Sequence, residues 1–269
     1  MLANELIKTL PERQFLTKDM LMTAGYLDDW HEHSWHQIVF PVKGLLQSNI
    51  DDICTVVPHN AMLFIPSDRI HKSVAITDTE FLAIYLNPNQ SVDYPAQPKS
   101  CLVSPFIKEL ILLLFQQSST SSSDSSITNL LTVLRDQIVI APNYEIPLLI
   151  PRDKRLLAIF SQLKEQPDTP FTLKEWAKQV GASERTLSRL CANEFGQSFS
   201  LWRQHVRLVL SLQLLDSNLT VQDIALELGY GSDSAYIYAF KKMFNQTPSK
   251  YRNDSFGHRV MFNSLCPKN

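Results

Sequence analysis

Two stretches near the C-terminus of this 269-residue chain are variants of each other. Residues 195–203 (FGQSFSLWR) align with residues 244–252 (FNQTPSKYR) at an offset of 49 positions. Further matches lie upstream at nearly the same offset: Ser183 with Ser232, Ala177 with Ala225, and Gly181 with Gly229. Such self-similarity predicts two copies of one supersecondary unit, and it restricts the possible folds of this region to a tandem arrangement.

Each copy has the spacing of a helix, a tight turn and a second helix. In the first copy, Thr172 and Glu175 form a capping box that starts a helix. Gly181 can adopt the positive φ that the turn requires, and Ser183 caps the next helix. In the second copy, Thr220 starts a helix with Asp223 near its positive end, Gly229 stands at the turn, and Ser232 or Asp233 caps the next helix. The pattern therefore predicts two helix-turn-helix units.

The apolar segment Phe199–Leu215 between the copies predicts a helix of about 17 residues, roughly 25 Å long. A rigid spacer of this length can set two second helices about 34 Å apart, which is one turn of DNA. Arginine is the commonest bidentate reader of guanine, and phosphate contact is the alternative for each arginine. The predicted DNA contacts are Ser183, Arg185, Ser188, Arg189, Asp233, Ser234, Tyr238 and Lys241.

The charges are divided unequally along the chain. Residues 152–269 contain 16 Lys and Arg against 11 Asp and Glu, whereas residues 1–151 contain 9 against 16. A basic C-terminal half suits a polyanionic partner, and ordinary scatter of surface charge is the alternative.

The N-terminal half predicts strands followed by helices. Residues 30–90 contain short apolar runs broken by proline and glycine, which predicts a small sandwich or barrel. One helix is expected from Pro105 and another over about 127–140, joined by a flexible connection at 118–126. In the first helix, six apolar residues recur at helical spacing: Phe106, Ile107, Leu110, Ile111, Leu114 and Phe115. Leu112 and Leu113 lie off this main stripe, and the second helix has Ile127, Leu131, Leu134 and Ile138 on one face.

Those two helices are apolar over much of their surface and need to be covered. A homodimer contact through residues 106–140 and burial against the strands are both consistent with the pattern. The prolines that follow mark a linker at 142–152, because proline ends helices and favours extended chain. The predicted domains are therefore 1–141 and 153–255.

Histidines are concentrated in the sequence WHEHSWHQ at residues 30–37. His31 and His33 alternate, so on a strand they would face the same side. Together with Gln37 and His71 they offer three imidazoles and an amide oxygen, a set that can bind zinc, nickel or iron. Polar contacts to a small effector and satisfied core histidines are the alternatives. The predicted apolar contacts to an effector are Trp35 and Phe40, with core packing as the alternative.

The C-terminal region, about residues 152–252, resembles the AraC/XylS family of bacterial regulators. The resemblance is carried by Ala177 and by GASERTLSR (181–189), IALELGYGS (224–232) and FKKMFNQTPSKYR (240–252). Tyr238 departs from the family, in which arginine or a small polar residue is common. The resemblance implies promoter DNA as ligand, usually activation, a contact with RNA polymerase, and a small effector bound by the N-terminal domain.

Residues 28–90 are similar to the two halves of a cupin metal motif. The matching pattern is H-x-H-x3-Q-x6-G from His31, followed by N-x5-P-x-D-x2-H from Asn60. It departs at Gln37, where metal-binding cupins usually have glutamate. The predicted fold is therefore α+β with two domains: an N-terminal cupin-like β-barrel with two helices, and an all-α C-terminal domain of two helix-turn-helix units joined by a linker helix.

Several function classes are excluded. The chain has no P-loop, no GxGxxG and no nucleophile elbow, and its four cysteines form no CxxC pair. It has no run of 18 apolar residues, so no membrane span is expected. We expect a cytoplasmic transcription activator without catalytic residues. A metal-dependent cupin enzyme fused to a DNA-binding domain is the alternative, and a third reading makes the N-terminal domain only a dimerisation scaffold.

Overall fold

A computed structural model of the chain describes residues 3–51, 53–90, 92–117, 125–144, 146 and 150–256. The chain divides into two compact units, Met1–Pro147 and Leu148–Asn269. The division falls inside the segment 142–152 that the sequence analysis assigns to the linker. No helix in the described residues is long and apolar enough to cross a lipid bilayer.

The first unit combines strands with three helices in its described part. The helices are α1 (Ala3–Thr9), α2 (Pro105–Gln117) and α3 (Ser125–Ile140). The strands are β1 (Phe15–Met22), β2 (Leu27–His31), β3 (His36–Lys43), β4 (Leu45–Ile50), β5 (Ile53–Pro58), β6 (Ala61–Ile65), β7 (His71–Ala75), β8 (Thr79–Leu86) and β9 (Lys99–Leu102). Strands β1 and β9 lie outside the range 30–90 in which the sequence predicts strands.

The strands form two sheets that are not closed into one barrel. The larger sheet has the order β1-β8-β3-β6-β9, and the smaller has the order β2-β7-β4-β5. The prediction of a β-barrel is corrected in this respect, because the chain crosses repeatedly between two separate sheets, as after β3 and after β6, and each sheet ends at its own edge strands. Both sheets supply side chains to one apolar core, which includes Val39, Leu63, Leu46 and Val57. The architecture is thus a sandwich.

Gly44 allows the chain to pass from β3 to β4. Its φ is +80°, and a Cβ at this position would lie 2.3 Å from the carbonyl oxygen of Asp78. A side chain here would therefore collide with the backbone as well as strain it. The crossing is held by two hydrogen bonds: Leu45 N–H donates to Thr77 Oγ1 at 3.0 Å, and Thr79 Oγ1 donates to the Leu45 carbonyl at 3.0 Å.

The helices α2 and α3 pack against each other and bury most of the predicted apolar side chains. The four predicted inward residues of α3 are all buried: Ile127, Leu131, Leu134 and Ile138. Phe106, on the predicted apolar stripe, is 55% exposed, whereas Leu112, off that stripe, is buried. Ser125 and Ser126 belong to α3 rather than to a flexible connection, and residues 118–124 of that predicted connection lie outside the described residues.

The second unit is helical throughout its described part. Its helices are α4 (Lys154–Glu165), α5 (Leu173–Gln179), α6 (Glu184–Phe195), α7 (Phe199–Leu214), α8 (Val221–Glu227), α9 (Asp233–Phe244) and α10 (Pro248–Phe256). The predicted spacer corresponds to α7, whose 16 residues span about 24 Å. Pairs α5–α6 and α8–α9 are the two helix-turn-helix units, and α7 contacts α6 and α9.

Candidate functional site

The first helix pair is fixed by complete caps. Thr172 Oγ1 accepts from the Glu175 N–H at 3.3 Å, and the Glu175 carboxylate accepts from the Thr172 N–H at 2.7 Å. Gly181 forms the turn with φ of 64°, and Ser183 Oγ accepts from the Thr186 N–H at 3.1 Å. The predicted capping box and cap are confirmed. These bonds satisfy helix-end donors and so fix where α6 begins.

The side chains of α6 divide into an exposed and a buried face. The exposed residues near its N-terminus are Glu184, Arg185, Ser188 and Arg189. Leu187 and Cys191 are fully buried, whereas Leu190 is only partly covered. Cys191 shares the face of Leu187 because residues four apart lie on one side of a helix, and the sequence analysis overlooked it. For the same reason Arg185 and Arg189 project together from the opposite side.

The second helix pair is built in the same way. Thr220 and Asp223 form a capping box, with Asp223 Oδ2 accepting from the Thr220 N–H at 3.1 Å. The cap of α9 is Ser232, whose Oγ accepts from the Ala235 N–H at 3.2 Å, so Asp233 is the first helical residue. The helix ends at Asn245, which has φ of 56°, a left-handed conformation that asparagine tolerates.

The exposed face of α9 carries less positive charge than that of α6. Tyr238 is 72% exposed and occupies the position of Arg189 in the repeat. The Asp233 carboxylate accepts from the Ser234 N–H at 2.7 Å, which holds a negative charge at the helix N-terminus. Ser234 and Lys241 are also exposed. All eight predicted DNA contacts therefore lie on exposed positions at the starts or outer faces of α6 and α9.

The aromatic residues near the end of the repeated motif lie in the core. Trp202 and Tyr251 occupy equivalent repeat positions, and both are fully buried. The Trp202 ring stacks on Phe195 at a centroid distance of 5.5 Å, and the Tyr251 ring contacts Phe244 at 6.3 Å. Because both pairs are hydrophobic contacts beside a recognition helix, they position α6 and α9 against the rest of the unit.

The two repeat arginines anchor the segments that precede each helix pair. Arg203 donates from an Nη to the Phe171 carbonyl at 2.7 Å. Arg252 donates from Nε to the Leu215 carbonyl at 3.1 Å. Both arginines belong to the motif shared by the two copies, and no function was predicted for either of them. Their equal place in the repeat was the signal that could have indicated a structural function.

The histidines of the first unit form a cluster. The ligand nitrogens of His31, His33 and His71 all lie within 4.8 Å of one another. His31 ends β2 and His71 begins β7, and these two residues pair across the strands. His33 lies beyond β2, so the predicted alternation along one strand does not apply to it. Gln37 Oε1 approaches Nε2 of His33 and of His71, each at 3.1 Å.

The Nδ1 atom of every histidine in the cluster faces a backbone carbonyl. The distances are 2.7 Å from His31 to Asp29 O, 2.6 Å from His33 to Trp35 O, and 2.8 Å from His71 to Arg69 O. Carbonyls only accept hydrogen bonds, so each Nδ1 carries the proton and each Nε2 keeps a lone pair. Such outer hydrogen bonds are what orient imidazoles toward a metal ion.

Burial keeps the inner histidines neutral. It lowers the pKa of His71 to about 3, and it also lowers the pKa of His33 below its ordinary value. The cause in both cases is that the buried imidazolium loses its hydration. Neutral imidazole is the form that binds metal, so at pH 7 these two side chains need not lose a proton to do so.

The predicted effector contacts lie in the protein interior. Trp35 is 4% exposed within the apolar core, and Phe40 on β3 is 2% exposed. Neither residue lines the open pocket of about 520 Å³ in this unit, whose lining includes His36, Arg69 and Tyr94. Their role as effector contacts remains a prediction.

Comparison with known proteins supports the helix-turn-helix assignment of the second unit. Residues 176–254 match the model of a helix-turn-helix domain. The transcriptional regulator NimR of Escherichia coli is 29% identical over 221 residues, which cover 82% of this chain and 81% of NimR. The regulatory protein SoxS of Escherichia coli is 29% identical over 96 residues, which cover 35% of this chain and 90% of SoxS.

Among solved structures, ToxT of Vibrio cholerae aligns with 90% of this chain and 99% of its own, at 11% identity and a TM-score of 0.38. The assignment of the second unit depends instead on the helix-turn-helix match and on the regulators of similar sequence. Two capped helix pairs, an intervening helix and an exposed basic recognition face agree with those matches. The second unit is an AraC-type helix-turn-helix domain, and the relatives that this chain matches are transcription regulators.

Proposed function

We propose that this protein is a one-component activator whose N-terminal unit detects a divalent metal ion and whose C-terminal unit binds promoter DNA. The observation that carries the proposal is the convergence of His31, His33, His71 and Gln37 in one cluster. Imidazole suits zinc, nickel and iron alike. The ion would act by favouring one conformation of the protein over another, since a ligand shifts an equilibrium only by its difference in affinity.

The ligand set favours a sensor over an enzyme. Three imidazoles and one amide oxygen fill the four positions of a tetrahedral zinc site, whereas catalytic zinc keeps one position open for water or substrate. The regulators matched by this chain support the same choice. We therefore propose no catalytic activity and a cytoplasmic location, where the protein meets promoter DNA and RNA polymerase.

For DNA recognition we propose base contacts from Arg185 and Arg189 in one major groove. The exposed polar residues of α9 and the caps of both helices contact the next groove and the phosphates. The length of α7, about 24 Å, is compatible with grooves one helical turn apart. Because Tyr238 replaces a guanidinium at the second site, sequence discrimination is expected to be stronger at the first.

Zinc binding tests the proposed signal. We expect His33→Ala and His71→Ala each to weaken zinc binding to the full chain by about tenfold or more, because one of four ligands is lost. Isothermal titration and elemental analysis measure the effect. Zinc-loaded and chelator-treated wild-type protein should also differ in affinity for an operator.

His36→Ala is the matched control for these variants. His36 lies on β3, and its Nδ1 accepts from the Ser67 N–H at 2.9 Å, outside the cluster. This variant should bind zinc like the wild type. Equal zinc content in the parent, His33→Ala and His71→Ala would contradict the proposed metal site.

We also propose that the protein is a homodimer through α2 and α3. Large apolar side chains remain exposed on these helices: Phe106, Leu113, Val133, Val139 and Ile140. Contiguous exposed apolar surface is typical of interfaces.

Sedimentation equilibrium tests this interface. The full chain is expected to be dimeric and residues 152–269 monomeric. Leu113→Glu with Val133→Glu should raise the dissociation constant by about tenfold or more, because association would bury unpaired carboxylates. Leu21→Glu, on β1 at a side chain that is 81% exposed, is the control and should leave the dimer intact. A monomeric wild-type chain would rule the interface out.

A further inference from the structure

The side chain of Gln37 faces His33 and His71, and each of these rings already donates its single N–H to another group. Its Oε1 lies 3.1 Å from Nε2 of His33 and 3.1 Å from Nε2 of His71. Each of these rings donates its Nδ1–H to a backbone carbonyl, that of Trp35 or of Arg69. A neutral imidazole has one N–H, so both Nε2 atoms carry lone pairs.

Three lone pairs therefore meet at one buried point with no hydrogen between them. Protonation of both rings would supply hydrogens, but it would place two positive charges on rings whose centroids are 5.0 Å apart. Buried like charges at this separation disfavour that solution. In the metal-free protein, the buried acceptors of His33, His71 and Gln37 thus need another donor.

The carboxamide of Gln37 can supply that donor itself. Its oxygen and nitrogen exchange places by a half-turn about χ3, and the nitrogen carries two hydrogens. Two hydrogens match the two Nε2 lone pairs. We propose that Gln37 makes the metal site reversible: its amide N–H groups donate to His33 and His71 in the metal-free protein, and its oxygen faces the site when an ion is bound.

This inference rests on the proposed metal-sensing function and assigns its regulation to one residue. A carboxylate at position 37 would have no hydrogen to donate and would add a negative charge that attracts the cation. The glutamine therefore stabilises the metal-free state and weakens metal binding. Because of both effects, the fraction of metal sites that are occupied changes with the concentration of free metal. A sensor needs this response.

Nuclear magnetic resonance of the metal-free full chain, with ¹⁵N in histidine rings and glutamine amides, tests the hydrogen-bond arrangement. We expect Nδ1 protonated and Nε2 unprotonated in His33 and His71, with couplings from the Gln37 amide protons across to both Nε2 atoms. Addition of zinc should abolish these couplings. Protonated Nε2 atoms in both rings, or the absence of couplings before zinc is added, would overturn the proposal.

Zinc titration of variants provides a readout that a purely structural role would not produce. Gln37→Glu should bind zinc about tenfold or more tightly, because a charged ligand replaces a neutral one, while its metal-free form melts at a lower temperature. Gln37→Leu should lower both zinc affinity and metal-free melting temperature. Gln47→Glu changes a buried glutamine on β4 whose amide donates to Asn49, and it should leave zinc affinity unchanged.

The two proposals fail in different ways. Wild-type protein that binds no zinc would refute metal sensing, while the spectra of the metal-free protein would still decide the arrangement at Gln37. Wild-type protein that binds zinc, together with Gln37→Glu that binds it no more tightly, would refute the role of Gln37 alone.

Discussion

Replacing Trp202 with alanine is expected to destabilise the C-terminal unit by about 3–5 kcal/mol. The indole is fully buried, stacks on Phe195 at 5.5 Å with an interplanar angle of 11°, and contacts the Phe199 ring at 5.6 Å. The close-packed neighbours can only partly fill the cavity. Since domains are stable by about 5–15 kcal/mol, this single change removes a large part of the margin. DNA binding should fall with it.

Urea unfolding of the full chain, followed by the helical circular dichroism signal, measures the loss. The helical signal reports mainly the second unit, which contains α4 to α10, so the measurement does not require the two units to unfold together. Leu201→Ala is the control, because Leu201 is 41% exposed on the same helix and should change stability by less than about 1 kcal/mol.

A second variant refines this test. Trp202→Tyr should be milder than Trp202→Ala, since the second copy of the repeat accommodates Tyr251 at the equivalent position. If Trp202→Ala and Leu201→Ala unfold at the same urea concentration, the assigned core role of Trp202 is wrong.

Much of the C-terminal unit could be predicted because its signals are local. A capping box needs residues three apart, so Thr172 with Glu175 and Thr220 with Asp223 are visible in the sequence. The repeat reflects shared packing rather than shared DNA contacts. Its Trp202 and Tyr251 are buried, whereas the outward position differs between copies, with Arg189 in one and Tyr238 in the other. Similarity between the copies thus predicts the fold, and their differences bear on specificity.

The N-terminal topology could not be predicted in the same way. Strand β1 pairs with β8, which joins Phe15 to Leu86, and no local pattern specifies a partner 71 positions away. Alternation along β1 is also incomplete, so its sequence gives a weak strand signal. The separation into two sheets depends on where the chain crosses from one sheet to the other, as at Gly44. The periodicity of the sequence does not distinguish two separate sheets from a closed barrel.

The sequence predicted which residues form the histidine cluster but not how their side chains are arranged. The resemblance to a cupin metal motif grouped His31, His33, Gln37 and His71. The contacts between the rings and the backbone carbonyls cannot be predicted from residue types, because any residue at positions 29, 35 and 69 supplies the same carbonyl oxygen. The inference about Gln37 depends on these carbonyls and therefore required the structure.

Replacing Arg185 and Arg189 together with alanine should weaken operator binding by about 2–6 kcal/mol, from about 1–3 kcal/mol for each contact. The two side chains lie four residues apart on the exposed face of α6, and the capped start of that helix fixes their direction. Fluorescence anisotropy at constant salt measures the loss on an operator selected from random DNA. Arg189→Ala alone should lose about 1–3 kcal/mol and relax the preference at one base pair.

The control for the change in net charge is the double variant Lys8→Ala with Lys43→Ala. It removes the same charge from exposed positions of the first unit. This pair should bind the operator like the wild type, because the lost charges lie outside the proposed DNA contacts. Phosphate contacts contribute equally to all sequences, whereas base contacts contribute only to the correct one. If the arginine double variant loses the same free energy on operator and on random DNA, its arginines contact phosphates alone and the proposed base reading by α6 is wrong.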